Sequence, residues 1–392
     1  MPPLPSFRIR TRMTGRDHDE QHRVSSPLEL LFDLTFVVAV AQVAEQLAHS
    51  IAVGTVLSSG IVAYLMVFFA IWWAWINFTW FASAYDIDDV AYRLLTMLQM
   101  AGVLVLAAGV HDAFADQRFF LVTLGYFIMR IALVSQWIRA AIENPAGRTT
   151  ALRYAGGIIV VQVGWILRLL LPPELGLASF VVLALLDVSV PVWAERTAMT
   201  SWHPHHIAER YGLFTIILLG ESVSAATIAV QGIIASSGVS LDLVIIAAAG
   251  LLLIFALWWL YFMESAAEGL SKSPSRSFLW GYGHYPLFAA IAAIGAALEV
   301  AVDRHPHASP TTVGYALAVP VALFYLLLWM LHSQVMAILP VKLAPVLTAA
   351  AATLLVPLAA PTVGVPPTFA AIALVGAVLT AVSLARRART SS

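Results

Sequence analysis

Apolar residues fall in long runs along this chain, and charged residues gather in the short stretches between them. A helical span needs about 20 apolar residues to cross a hydrocarbon core. Read at that window, the pattern predicts twelve spans, at 27–49, 56–82, 91–110, 118–140, 151–171, 175–193, 206–232, 240–264, 279–302, 311–335, 340–359 and 366–385. Pro340, Pro345 and Pro357 crowd the eleventh, but proline is tolerated in membrane helices. The seventh run raises a question. In HHIAERYGLFTIILLGESVSAATIAV (His205 to Val230), Glu221 is the only formally charged residue between Tyr211 and Leu241. A carboxylate at that depth costs several kcal/mol unless it is protonated, paired or hydrated.

The distribution of cations orients the spans. Of the 21 Lys and Arg residues, all but Arg118, Arg168, Arg304 and the intraspan Arg130 fall on the flanks that are cytoplasmic when both termini are inside. That bias is the positive-inside rule, and it implies an even number of spans. The first 26 residues are polar and basic and lead directly into an apolar helix, so the first span is expected to serve as the insertion signal. The Arg386–Arg389 tail is expected to anchor the last helix on anionic lipid.

The pattern also repeats. FAIWW (Phe69 to Trp73) in the second span returns as FALWW (Phe255 to Trp259) in the eighth. ELLFDLTFVV (Glu29 to Val38) aligns with ERYGLFTIIL (Glu209 to Leu218), keeping Glu first and Thr seventh. Equivalent helices lie six spans apart, hence in the same orientation, which is a parallel repeat of the kind transporters use. The expected organisation is a cytoplasmic basic tail (1–26), a first six-helix repeat (27–193), a cytoplasmic linker (194–205), a second six-helix repeat (206–385) and a short basic tail (386–392). The fold class is all-α: a polytopic helical membrane protein of about 12 transmembrane helices in a parallel 6+6 repeat.

Composition agrees with the pattern. Only 11% of the 392 residues are charged, 60% are hydrophobic and the mean hydropathy is +0.86, whereas a soluble domain carries roughly 25% charged residues. A net charge of −1 gives no support to nucleic-acid binding. The absence of cysteine removes disulfides, thiolate metal sites and thiol nucleophiles.

Three groups of residues could carry chemistry. Glu29 and Asp33, in PLELLFDLTF, are four residues apart and share a helix face. Two stacked acids repel, so at least one should find an arginine or take up a proton; Glu29 also suits a helix N-terminus. The second group is HIAERYGLFTIILLGES, where His206, Glu209 and Arg210 stand at the cytoplasmic mouth. Glu221 follows about 18 Å beyond Glu209 along the helix, with Ser222, Ser224 and Thr227 after it. The third group is scattered through other spans: Arg130, Arg168, Asp187, Asn77, Glu264, His284 and Glu299. Arg130, Asp187 and His284 are the candidate counter-ions for Glu221 or for one another, and an Arg130–Asp187 pair is as readily functional as purely structural.

Other features read as structural. WHPHH (Trp202 to His206) has no helical two-histidine spacing, and no metal is expected there. Phe69, Trp73, Asn77 and Trp80 share a face that reads as packing. YDIDD (Tyr85 to Asp89) reads as a solvated acidic turn. There is no phosphate-binding glycine loop, nucleophile elbow or zinc-protease motif. No cofactor and no catalytic residue are assigned.

PLELLFDLTFVVAVAQ (Pro27 to Gln42) and HIAERYGLFTIILLGES (His206 to Ser222) resemble the bacterial low temperature requirement protein A family. The match covers Pro27, Glu29, Phe32 and Asp33 in the first motif. In the second it covers His206, Glu209, Arg210, Gly212, Phe214, Gly220, Glu221 and Ser222. The tryptophan-rich second span and HYPLFAAIAAIGAALE (His284 to Glu299) are also similar. Leu31 and Thr35 depart from the family's usual Phe and aliphatic residue. The resemblance implies a polytopic membrane fold and a cold-growth phenotype, with no settled substrate or reaction. The six-plus-six plan also looks somewhat like potassium channels with an F-S-D motif, but here Phe32–Asp33 lacks the serine and Gly212–Leu213 stands at the aligned place.

Taken together, these readings favour a secondary transporter of the inner membrane with a protonatable intramembrane carboxylate, Glu221, and with Asp33 and Glu29 in a cytoplasmic vestibule. Two alternatives are a proton or monovalent-cation channel, and a membrane-embedded enzyme on lipid substrates using His206, Glu209, His284 and Glu29. A sensor or assembly factor would use the same charges as structural glue. The lipid bilayer is the expected partner; solute and oligomeric state are left open.

Overall fold

The computed structural model describes residues 9–16, 24–85, 87–115, 117–302, 308–336, 339 and 341–390. Its main elements are twelve helices. They are α1 (Pro27–Ala52), α2 (Ile61–Ala84), α3 (Val90–Ala108), α4 (Phe120–Glu143), α5 (Arg148–Arg168) and α6 (Gly176–Ala194). There follow α7 (Pro204–Ser237), α8 (Leu241–Phe262), α9 (Ser277–Val302), α10 (Pro310–Val335), α11 (Leu343–Leu355) and α12 (Val365–Thr390). With the short turns that extend some of them, they form 12 stretches long and apolar enough to cross a membrane. The chain is a multi-pass membrane protein.

Local sequence chemistry sets several of the ends. Asp89 caps α3 by accepting from the Tyr92 amide at 2.9 Å. Ser240 caps α8, and Ser309 caps α10 with Pro310 as its first residue. Each cap stabilises its helix by about 0.5–2 kcal/mol. Helix α7 has 34 residues, about 51 Å, which exceeds a hydrocarbon core of about 30 Å. It ends at Gly238, whose φ of 74° lets its amide return to the Ile234 carbonyl at 3.1 Å. The proline-crowded eleventh span is helical but interrupted. A 3-10 turn at Val356–Ala359 contains Pro357, and a short helix, Ala360–Val363, completes the crossing. Pro357 has no amide hydrogen to continue the α-helical ladder.

The chain separates into two compact units. The first comprises Met1–Ala39 and Met66–Arg210, and the second Val40–Leu65 and Tyr211–Ser392. Helices α1 and α7 each give one part of their length to each unit.

In the first unit, α3 and α4 meet backbone to backbone at Gly102 and Gly125. A Cβ on Gly125 would stand 2.5 Å from both the Gly102 carbonyl oxygen and the Leu106 amide nitrogen. Small residues permit this approach, and packing rather than hydrophobic exclusion then holds helices together in lipid. Nearby, Gln99 Nε2 donates to Gln136 Oε1 at 2.9 Å, and Gln136 Nε2 donates to Thr96 Oγ1 at 3.3 Å. The aromatic core includes Trp72, Trp75, Phe78 and Phe81, all buried, and a Trp137–Tyr154 stack at 4.1 Å.

In the second unit, α9 is the most enclosed of the spans, with 83% of its most apolar stretch buried. Its Ala289 carbonyl accepts from the Tyr64 hydroxyl at 2.6 Å, and its Tyr285 hydroxyl donates to the Leu65 carbonyl at 2.8 Å. Apart from Ser189, the exposed positions of α6, such as Val182 and Leu185, are apolar, as lipid contact demands.

Replacing Gly125 with leucine is predicted to force α3 and α4 apart and to cost at least the 1–3 kcal/mol, roughly, of an overpacked core. Thermal unfolding in detergent, followed by loss of the monodisperse chromatographic peak, would show a lowered Tm. An unchanged Tm would contradict the close approach.

Candidate functional site

The residues at the start of α1 form a reciprocal cap. The Ser26 amide donates to Glu29 Oε2 at 2.7 Å, and the Glu29 amide donates to Ser26 Oγ at 3.2 Å. This S-x-x-E box satisfies two amides that the helix cannot. It also fixes the Glu29 side chain, whose other oxygen, Oε1, lies 3.0 Å from His206 Nε2 and 3.3 Å from Arg210 Nη1.

One turn further along α1, Asp33 meets the same arginine. Arg210 Nη2 donates to Asp33 Oδ1 at 2.5 Å, and the Trp75 indole of α2 donates to that same oxygen at 2.8 Å. Thr79 Oγ1 accepts from Arg210 Nη2 at 3.4 Å. Asp33, His206 and Arg210 are completely buried, and Glu29 is 2% exposed. Phe32, Phe36 and Phe78 wall the cluster, with Phe32 and Phe78 ring centres 4.0 Å apart. Glu209, half-buried, accepts the Ser25 amide at 3.3 Å and so helps hold the entry to α1.

Both donors to Asp33 use Oδ1. Its buried Oδ2 has no hydrogen-bond partner among the described residues. Among the described residues, Glu29 lies against Arg210 and His206, and Asp33 against Arg210. Ionised groups taken from water must be compensated by partners and hydrogen bonds, and the buried Oδ2 of Asp33 has none among these residues.

A second buried pair is balanced. Arg130 of α4 donates to Asp187 Oδ1 of α6 at 2.5 Å, and the Trp165 indole of α5 donates to Asp187 Oδ2 at 2.7 Å. Tyr126 lies under the guanidinium at 4.6 Å. Asp187 thus has a donor on each oxygen and one cation for its one charge. This is the arrangement expected of a structural pair.

The expected partners of Glu221 are engaged by other residues. Arg130 and Asp187 engage each other, and His284 is held by the Tyr261 hydroxyl at 3.1 Å and the Trp280 carbonyl at 2.8 Å. Glu221 is half-buried and makes no hydrogen bond or ion pair among the described residues. One residue on, Ser222 packs against Gly295 of α9, where an added Cβ would meet Ser222 Oγ at 2.7 Å. Glu264 pairs with Arg387 at 3.0 Å. Arg387 thereby also engages an acid of the protein itself. Among the described residues, no three His, Asp or Glu side chains converge as a metal ion would require.

The structure corrects the reading of YDIDD. Asp88 is exposed and paired with Arg93, but Asp89 is completely buried; Asp86 lies outside the described residues. Asp89 Oδ2 accepts the Thr11 amide at 2.9 Å and Arg139 Nη2 at 2.5 Å. Arg139 Nη2 also donates to the Thr11 carbonyl at 2.7 Å. Glu143 accepts the Met13 amide at 2.6 Å and Arg10 Nη2 at 2.9 Å. Residues 10–16 of the N-terminal segment are thereby strapped to the α2–α3 turn and the end of α4. Burial raises the cost of ionising Asp89, but the bonds from Arg139, Thr11 and Tyr92 outweigh it and hold the carboxyl down to about 2.

Comparison with known proteins now adds to this geometry. The family profile of the bacterial low temperature requirement A protein (LtrA) matches residues 24–383. The chain belongs to this family. It is also 27% identical over 327 residues, covering 79% of this chain and 76% of the other, to the uncharacterized protein RA0937 of Rhizobium meliloti (strain 1021). Glu29, Asp33, His206 and Arg210, motif residues on which the resemblance to the LtrA family rests, are the four that converge in the buried cluster.

Asp89→Asn is predicted to weaken the strap by about 1.5–3 kcal/mol, the range of hydrogen bonds to charged groups. A folded-state carboxyl held below its ordinary 3.8 contributes stability that is complete above about pH 4 and lost as pH falls through about 2. The Tm difference between wild type and variant should therefore be full at neutral pH and shrink in that acid window. A difference that does not vary with pH would place the effect elsewhere.

Proposed function

We propose that this LtrA-family protein is a secondary transporter of the cell inner membrane, with both termini cytoplasmic, whose coupling proton resides on the Glu29–His206–Arg210–Asp33 cluster. The observation that carries the reading is Asp33: completely buried, with both donors on one oxygen and the other oxygen bare. Gain of a proton converts the Asp33 carboxylate to a carboxylic acid, with the new O–H on Oδ2. Loss of the proton restores the carboxylate. A conformational equilibrium can be driven by this change if the two states differ in how well they solvate that charge.

Glu221 is the second protonatable carboxylate of the reading, and the parallel six-plus-six repeat is its framework. A channel is less well supported. Between Arg210 and Glu221, α7 offers the side-chain hydroxyls of Tyr211 and Thr215 only, and Thr215 is bonded to the Tyr211 carbonyl at 2.9 Å.

Proteoliposomes with an imposed pH gradient and an internal pH-sensitive dye test the proposal. Sodium, potassium, amino acids and organic acids would be added in turn. The expected result is gradient dissipation accelerated by one solute class and reduced at least tenfold in Asp33→Asn and Glu221→Gln reconstituted to the same level. Proton leak independent of every added solute would favour a channel. No proton movement in the wild type would leave the charges as structural glue and overturn the reading.

A further inference from the structure

The C-terminal end of α5 carries a second feature that the proton cluster does not use. Arg168, the last residue of that helix, is only 9% exposed. Its guanidinium carbon lies 4.8 Å from the Phe119 ring centre and 5.5 Å from that of Phe180. Arg168 Nη2 donates to the Gly176 carbonyl at 2.8 Å, but Nε is buried with no hydrogen-bond partner. Arg168 makes no ion pair among the described residues, and the nearest acid in sequence on α6, Asp187, is already saturated by Arg130 and Trp165.

The same arginine lines a small cavity with Phe69, Phe119, Tyr126, Trp165 and Phe180. Its free volume of about 20 Å³ accommodates something of the order of one water-sized group. Stacking on aromatic faces stabilises a cation only modestly, whereas withdrawing an ion from water is the larger cost. Cation–π contact alone therefore does not offset the burial of this guanidinium. Two rings lie close to the guanidinium, but its N–H edge is incompletely used, and oxyanions bind at that edge.

We propose that Arg168 and its aromatic box form a binding site for an oxyanion carried on an apolar body. One anionic oxygen would enter the cavity and accept from Arg168 Nε, and the apolar part would lie against Phe119, Phe180 and Trp165. Two sources share this chemistry: a small carboxylate in solution and the phosphate headgroup of an anionic lipid. The site uses residues separate from the proton cluster and stands whether or not the chain transports protons.

The test uses the full-length purified protein and Arg168→Leu, which keeps an apolar volume and removes the guanidinium. Sodium benzoate would be titrated by calorimetry, and anionic-lipid retention would be followed by mass spectrometry after exchange into nanodiscs with and without phosphatidylglycerol. The expected result is saturable binding of one probe by the wild type, weakened at least tenfold in Arg168→Leu. Arg168→Leu should also melt at or above the wild-type temperature in the absence of anion, because it removes an uncompensated buried charge. Benzoate binding would identify a soluble carboxylate, and selective phosphatidylglycerol retention a lipid. Binding of neither probe by the wild type, together with a lowered Tm in Arg168→Leu, would overturn the proposal and leave Arg168 as a clamp on the Gly176 carbonyl.

Discussion

Arg210 is buried completely and faces two carboxylates, Glu29 at 3.3 Å and Asp33 at 2.5 Å, and much of the first unit is arranged to make that burial tolerable. The capping box orients Glu29, and the indole of Trp75 joins Arg210 on Asp33. Phe32, Phe36 and Phe78 are buried in the same unit. In a medium where an isolated charge costs several kcal/mol, the buried Oδ2 of Asp33, bare among the described residues, is where the proposed proton would reside.

The contrast with Asp187 gives this argument its force. Each aspartate is held by one arginine and one tryptophan. At Asp187 the two donors take different oxygens and the charges cancel. At Asp33 they share an oxygen and a second acid stands nearby. The chemical parts are the same but their placement differs, and the proposed proton site rests on that difference.

Much of the fold was legible because span length and apolarity are set by the thickness of the bilayer, and the twelve predicted runs reappear as helices within a few residues. The shared face of Glu29 and Asp33 followed from helical spacing. Their meeting with Arg210 did not, because pairing between helices distant in sequence leaves no periodic signal. Asp89 was misread for a related reason: acidic neighbours suggest a solvated turn, and nothing local announces that residues 10–16 return to cover it. Its place directly before an apolar run was the available clue, since aspartate there caps a helix. Glu221 stood out by its isolation, a compositional signal that carries no information about partners. The Arg387–Glu264 pair was not legible, because the two residues belong to distant parts of the chain.

The central claim is that the cluster holds a proton on Asp33. Infrared difference spectroscopy of the protein in lipid, prepared with and without carbon-13 at aspartate carboxyl groups, reads that proton directly. The account predicts a protonated-carboxyl C=O band that moves with the aspartate label and disappears in Asp33→Asn. A spectrum with no such band, or one whose band ignores the label and persists in the variant, would contradict it.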